Sequence, residues 1–424
     1  MNKRLAVTLL FPLVLAACGG GSDDDDTPET PTNPETPAEP ETPPVIDPVT
    51  QASLNTAAQL GMAPIAGNSD TVRVYDVVAD IGDTWRLTLD MASGAYTLKV
   101  LHTVYGLTDA SGTFTQSTNG SFITLTGANG AFTLLIDERT RTIVGAMSLG
   151  GRTASVSGTS YAVPTDVSVL AGTYGMLLSL REVVPLPAPG ELPGNPAYQL
   201  IPGVVQLRAD ATAIVCFQGI GVTPDGKCAT FGGDETEPTE GLPAKLTLNP
   251  TDGDYHLAGE IEEVAFDFGT LRVQAGDLGP VLTLDLPFDN GIFGSEGDAA
   301  GATYLVKQQQ LQGNEVDGSW LCTVSGKAET VVTISGTAFS QTRDGETLPA
   351  TLQYNGVFGG PEAVPFNSLV SVISELPGTP GDEEASPSRA LTGIILPMSS
   401  SVMLYSQALS SASETSTSIC RRNN

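Results

Sequence analysis

Leu87-Thr88-Leu89-Asp90-Met91-Ala92-Ser93-Gly94-Ala95-Tyr96-Thr97-Leu98 alternates apolar and polar residues, breaks at a glycine, and alternates again. A period of two sends successive side chains to opposite faces of a strand, and glycine in the break supplies the positive φ of a tight turn. The stretch reads as a β-hairpin with Leu87, Leu89, Tyr96 and Leu98 on one face and Thr88 and Thr97 on the other. It returns without a gap as Ile123-Thr124-Leu125-Thr126-Gly127-Ala128-Asn129-Gly130-Ala131-Phe132-Thr133-Leu134. A third copy is Leu246-Thr247-Leu248-Asn249-Pro250-Thr251-Asp252-Gly253-Asp254-Tyr255-His256-Leu257. Three copies predict antiparallel meanders, one set before about residue 165 and another after it. Recurrence of a hairpin is architecture and implies no chemistry.

Working outward, abundant glycine, modest aromatic content and recurring Thr, Val and Ser suit strands and turns better than helices. The expected fold is mostly β: two antiparallel β-sandwich or small β-barrel domains on a disordered acidic Pro/Thr/Glu tether. The first domain is placed at 67–164 and the second at 165–376, with 377–424 a Pro/Gly/acid loop followed by C-terminal strands or a tail. Within 49–67, Gln51 to Leu60 suits a short helix. Asn355-Gly356 reads as a tight turn. Pro185-Leu186-Pro187-Ala188-Pro189 reads as a surface loop, or as the true linker between domains.

The N-terminus says where the chain resides. Lys3 and Arg4 precede an apolar segment, Leu5 to Ala17, which is too short to span a hydrocarbon core of about 30 Å and carries a kinking Pro12. Leu15-Ala16-Ala17-Cys18 closes it, and glycines and four aspartates follow, Asp23 to Asp26. This start resembles the lipobox of bacterial lipoproteins, in which signal peptidase II cuts just before the cysteine. The resemblance covers about the first twenty residues and implies a signal peptide at 1–17 and a mature chain lipidated at Cys18. Several acyl chains together give stable anchoring. Aspartate at the second mature position favours inner-membrane retention in enteric lipoproteins, so Gly19 points to the outer membrane.

The lipidated cysteine and tether occupy 18–66. Repeats such as Pro28-Glu29-Thr30-Pro31, with no lysine or arginine between Arg4 and Arg73, give an extended, self-repelling spacer that cannot bury enough apolar surface to fold. A glycine-and-acid stretch after the lipid cysteine also resembles surface-displayed lipoproteins of Gram-negative bacteria. Tyr354-Asn355-Gly356-Val357-Phe358-Gly359-Gly360-Pro361-Glu362-Ala363 is similar to the glycine-rich strand near the barrel end of transferrin-binding-protein-B-like surface lipoproteins. That match spans ten residues, lacks the usual aromatic before Gly-Pro, and has no companion motif.

The net charge of −29 argues against a nucleic-acid partner and against lying flat on anionic lipid. With Cys18 lipidated, Cys216, Cys228, Cys322 and Cys420 remain, an even set in an exported chain. Three connectivities are open, of which Cys216–Cys228 and Cys322–Cys420 is favoured. The first flanks the turn Pro224-Asp225-Gly226, and the second would clip the C-terminal tail onto the body.

Motifs that carry chemistry are scarce. There is no C-x-x-C pair, no H-E-x-x-H, no G-x-S-x-G elbow, no P-loop and no dinucleotide fingerprint, so no cofactor, metal site or catalytic residue is assigned. His102 and His256 are the only histidines; alternation sends His256 to the face opposite Tyr255 and Leu257, which reads as surface, while His102 reads as half buried. Acids such as Glu260-Glu262-Glu263 and Glu383-Glu384 are too abundant for a dyad to stand out. Asp252-Gly253-Asp254 is better explained as a hairpin turn than as a calcium loop. Trp85 and Trp320 sit in alternating runs and read as core. The expectation is a lipid-anchored envelope or cell-surface protein of the outer membrane. Its role would be non-catalytic binding or display, toward an unknown ligand or envelope protein. An envelope hydrolase and a structural envelope-assembly role are the alternatives.

Overall fold

The computed structural model describes residues 46–183, 198–217, 219–230, 239–251, 253–261, 264–288, 299–324, 327–343, 345–358, 364–376, 388–408 and 415–423. Cys18, the signal segment and the expected tether as far as residue 45 lie outside the described residues, whereas 46–66, expected as the rest of a disordered tether, are folded: they carry a helix and a bridge from Pro64 to Tyr161. The chain opens with α1 (Pro48–Gln59), capped by the Asp47 carboxylate, which accepts from the Val49 and Thr50 amides at 3.1 Å. Ser53 Oγ of this helix donates to Ala275 O at 2.6 Å, and Ala57 packs on Tyr161.

Three closed barrels follow. The first is β1 (Val72–Ala79), β2 (Asp83–Asp90), β3 (Ala95–His102), β4 (Ala110–Asn119), β5 (Phe122–Gly127), β6 (Phe132–Asp137), β7 (Thr142–Leu149) and β8 (Arg152–Thr159). The second takes β9 (Gly172–Glu182), β10 (Tyr198–Leu207) and β11 (Thr212–Phe217). It then leaves for a small sheet of β12 (Gly219–Val222), β13 (Lys227–Thr230) and β14 (Thr239–Glu240). It resumes with β15 (Leu242–Leu248), β16 (Tyr255–Ile261), β17 (Val264–Gly276), β18 (Gly279–Phe288) and β19 (Ala299–Lys307). The third runs β20 (Gly318–Val324), β21 (Lys327–Ser335), β22 (Ala338–Arg343) and β23 (Glu346–Tyr354). It detours through a two-stranded ribbon, β24 (Val357–Phe358) and β25 (Val364–Pro365), and finishes with β26 (Val370–Leu376), β27 (Ser388–Pro397), β28 (Val402–Ala408) and β29 (Thr415–Arg422). Each barrel is an up-and-down meander whose first and last strands pair: β1 with β8, β9 with β19, β20 with β29. Among the described strands, closure leaves the barrels themselves no free edge to template aggregation.

All three copies of the repeat are hairpins. Leu87 opposes Leu98 and Leu89 opposes Tyr96; Leu125 opposes Leu134; Leu246 opposes Leu257. The turn glycines Gly94, Gly130 and Gly253 have φ of 69°, 72° and 78°. Trp85 and Trp320 are both fully buried, and Trp320 Nε1 donates to Val316 O at 2.8 Å. Asn355-Gly356 does not close a two-residue hairpin. Asn355 is left-handed, its side chain grips both backbone groups of Leu311, and the chain leaves β23 for the β24–β25 ribbon.

The domain count differs from the expectation. The segment 67–164 encloses the first barrel, but 165–376 holds the whole second barrel and β20 to β26 of the third, and the terminal segment supplies β27 to β29. The Pro/Gly/acid stretch after Leu376 has the composition of a linker yet joins two paired strands of one barrel, with Leu376 opposite Ser388.

Each barrel is filled with apolar side chains. A fourth cluster is formed from outward-pointing residues of all three: Val78 and Val144 of the first; Leu177, Val281 and Tyr304 of the second; Leu396 and Leu404 of the third. Strands that feed it, such as β9 and β19, are buried on both faces and read as continuous apolar runs; β4, facing solvent, reads Ser-Gly-Thr-Phe-Thr-Gln-Ser-Thr. On β4 the apolar residue Phe114 faces inward and the outer face is hydroxyl-rich, the reverse of the pattern of a transmembrane strand. Polar ties cross the contacts: Ser155 Oγ to Thr323 O at 3.1 Å, Gln274 Nε2 to Ser157 Oγ at 2.9 Å, and the Ser400 amide to Asp277 at 3.0 Å.

The disulfides Cys216–Cys228 and Cys322–Cys420 join residues 12 and 98 positions apart. The second links directly opposed residues of β20 and β29, so it fastens the seam where the third barrel closes. In the chain-entropy model a loop of that length is worth about 4 to 5 kcal/mol.

Gly82, in the β1–β2 turn, has φ 85°, and a Cβ there would lie 2.9 Å from both Ala300 Cβ and Leu286 O of the second barrel. Gly120 has φ 58° with open space around it. Gly120→Ala is expected to cost about 1 kcal/mol, the left-handed backbone penalty alone. Gly82→Ala is expected to cost about 1 to 3 kcal/mol more, because the first barrel must shift off the second. Urea midpoints of the two variants check the difference.

Candidate functional site

The chemistry-bearing side chains gather where the first barrel meets the second. His102 closes β3, next to an irregularity in the β2–β3 ladder: Thr84 opposes His102 and Trp85 opposes Val100, which leaves Leu101 over. His256 lies in β16 beside a second one, where His256 opposes Thr270 and Ala258 opposes Asp267. Extra residues of this kind re-aim neighbouring side chains. Gly269 makes the second bulge feasible: its φ is 95°, and a Cβ would fall 1.3 Å from Asp285 O. The two bulges face each other, and the two imidazoles stand edge to face with centroids 5.8 Å apart.

Carboxylates back both rings. His102 Nε2 is 3.5 Å from Asp254 Oδ2, and His256 Nδ1 is 3.1 Å from Asp267 Oδ2. Asp254 belongs to the turn of the third repeat, closed by the Gly253 and Asn249 amides at 2.8 Å; its partner Asp252 lies outside the described residues. The same Asp254 Oδ2 is held by Arg272 Nη2 at 2.9 Å. Arg272 is only 2% exposed, and its Nε lies 3.3 Å from Asp76 Oδ2 across the contact, an ion pair without an aligned hydrogen bond. Asp76 takes both arms of Arg86, at 2.7 and 2.9 Å. Deeper in, Asp285 accepts from Thr84 Oγ1 of the first barrel and from the Thr270 amide of the second.

The electrostatics follow. The bond to Asp254 raises His102 above its ordinary value, with burial opposing. Burial also pushes Asp254 upward, but the His102 bond and the Arg272 guanidinium outweigh it and hold the carboxyl at about 2. Burial raises Asp285 and Asp83. Among the described residues, no group of three or more His, Cys, Asp or Glu is arranged to hold a metal ion. What the arrangement does hold is two proton-accepting rings inside an acidic, partly buried network that ties one barrel to another.

The sequence named His102, His256 and Asp254 but did not bring them together. His256 is not a surface residue: its side chain is 16% exposed. Asp76, Asp83, Arg86, Arg272 and Asp285 were not singled out. Their signal was a charge inside an apolar run, as in Leu271-Arg272-Val273 and Leu284-Asp285-Leu286. Glu260 is exposed on β16, whereas Glu262, Glu263, Glu383 and Glu384 lie outside the described residues.

Removing one partner of a buried pair leaves an uncompensated charge. Arg272→Met strips Asp254 and Asp76 at once, and because Asp76 keeps Arg86 the expected loss is about 3 kcal/mol, at the low end for such changes. Adding Asp254→Asn is expected to recover part of it. A double-mutant cycle on urea midpoints measures the coupling.

No protein-family model matches the chain, and no curated protein matches it. Among solved structures it is similar to the isotype 1 transferrin binding protein B of serogroup B Neisseria meningitidis, at 9% identity and a TM-score of 0.17. The alignment covers 81% of this chain and 66% of that one. At that level of likeness nothing is carried over from it.

Proposed function

We propose that the chain is a lipid-anchored protein of the Gram-negative outer membrane with a non-catalytic binding or display role, its three-barrel head lifted on an acidic tether. One observation carries the reading: the barrel interiors are filled with apolar side chains, while an outer face left free by the other barrels, that of β4, is polar. A partner is then met by outer faces and loops, as on a display scaffold, and not inside a barrel. The lipobox-like start at Cys18 and the long Pro/Thr/Glu spacer support anchoring and reach.

A hydrolase is the second reading, favoured by the two histidine–aspartate pairs. Activity against a panel of esters, glycans and peptides that is lost in both His102→Ala and His256→Ala would replace the binding reading with this one.

Protease shaving of intact cells tests display. Trypsin has no site between Arg4 and Arg73, so a glutamate-specific protease is needed, cutting after Glu29, Glu35 or Glu41. The expected outcome is release of an intact head from wild-type cells while a periplasmic control protein survives, and no cell-bound head in Cys18→Ala. Protection until the outer membrane is opened would place the head in the periplasm and end the surface reading.

A further inference from the structure

The contact between the first and second barrels carries both histidines of the chain, one from each side. We propose that this corner is a proton-operated latch, in which charged His102 binds Asp254 and holds the β2–β3 end against the turn that precedes β16, and neutral His102 lets that corner open. The inference does not depend on where the protein resides or what it binds.

The geometry supplies the parts. The groups facing His102 are Thr84 on β2, Asp254 on the turn before β16, His256 on β16, Arg272 on β17 and Asp285 on β18. Arg86 and Asp76 complete the charge on the first-barrel side, and Asp267 backs His256. Asp254 is shared: Arg272, on its own barrel, fixes the carboxylate, and His102 reaches it from the other barrel. The carboxylate is therefore aimed whether or not His102 is charged, and only the His102 link changes, while Arg272–Asp76 and Thr84–Asp285 still join the barrels. Shared apolar packing keeps the barrels together, so the change is a local opening and not dissociation.

The signs agree. His102 is raised from an ordinary value near 6.5 by its folded environment, so its contribution is full below that value and is lost as pH rises through the raised one. Asp285 and Asp83 are raised by burial, so closure is also easiest for them in acid and weakens as they ionise above 3.8. Asp254 runs the other way, but at about 2 it stays ionised throughout the range in which His102 titrates. The latch is thus tightest below 6.5 and loosens as pH rises through the raised His102 value. The His256 ring stands edge to face with His102 at 5.8 Å, and Asp267 backs that second ring.

Because the chain has only two histidines, the full protein labelled at histidine gives two imidazole signals, assigned with His256→Gln. His102 is expected to titrate above 6.5. Amide exchange, corrected for intrinsic rates, is expected to show opening of the β2–β3 end and residues 253–256 rising severalfold as pH is raised from 6 to 8.5, because the closed corner binds the His102 proton more tightly than the open one. Strand β22 of the third barrel should not follow, and His102→Gln should remove the pH dependence. A His102 that titrates at or below 6.5 overturns the latch, even if the variant does not fold. So does corner opening that is flat with pH, or that persists unchanged in His102→Gln.

Discussion

The burial of barrel outsides against one another is the constraint on which the structure depends. A closed barrel of eight strands satisfies its own backbone and fills its own interior, so it has no need of a neighbour. Here Val78, Leu177, Val281, Tyr304, Leu396 and Leu404 point away from their own barrels into a common cluster. That choice removes the alternation from the strands involved and leaves it on those that face solvent. It also makes the polar groups on the buried outer faces expensive unless they find partners across the contact. Ser155 with Thr323, Gln274 with Ser157 and Thr84 with Asp285 are such partners.

The histidine–aspartate corner is the extreme case of the same rule. Arg272 sits at an outward position of β17 that the first barrel covers, so its charge must be answered there, and Asp76 and Asp254 answer it from opposite sides. Ion pairs of this kind are not evidence of added stability, since desolvation offsets much of their attraction. Their value lies in register: a guanidinium held by carboxylates of two barrels admits one alignment of those barrels and penalises slippage.

Much of the fold was legible because it is local. The period-two runs and glycine breaks at 87–98, 123–134 and 246–257 are hairpins in the structure, and both tryptophans are core. The boundary at 376 was misplaced because Pro, Gly and acid mark a surface connection equally well inside a barrel and between two. The corner was not legible, because it is assembled from residues such as Thr84 and Asp285 that are 201 positions apart, and because its histidines are aimed by ladder irregularities that no periodicity reveals. What the sequence does carry is the oddity of Arg272 and Asp285 in apolar strands, a clue that a strand's outer face is covered.

Pairing of first with last strand makes each barrel a contiguous stretch of chain, and this orders the birth of the molecule. As the polypeptide emerges from its N-terminal side, β8 can seal the first barrel before any of the second exists. The second barrel follows on its own strands and covers part of the first, but the flanks that both turn toward the third stay bare until it closes, with β29 on β20 and Cys420 joined to Cys322. For that interval the nascent chain carries sealed barrels with uncovered greasy flanks. Those flanks need shielding during that interval, and the joining of Cys420 to Cys322 marks its end.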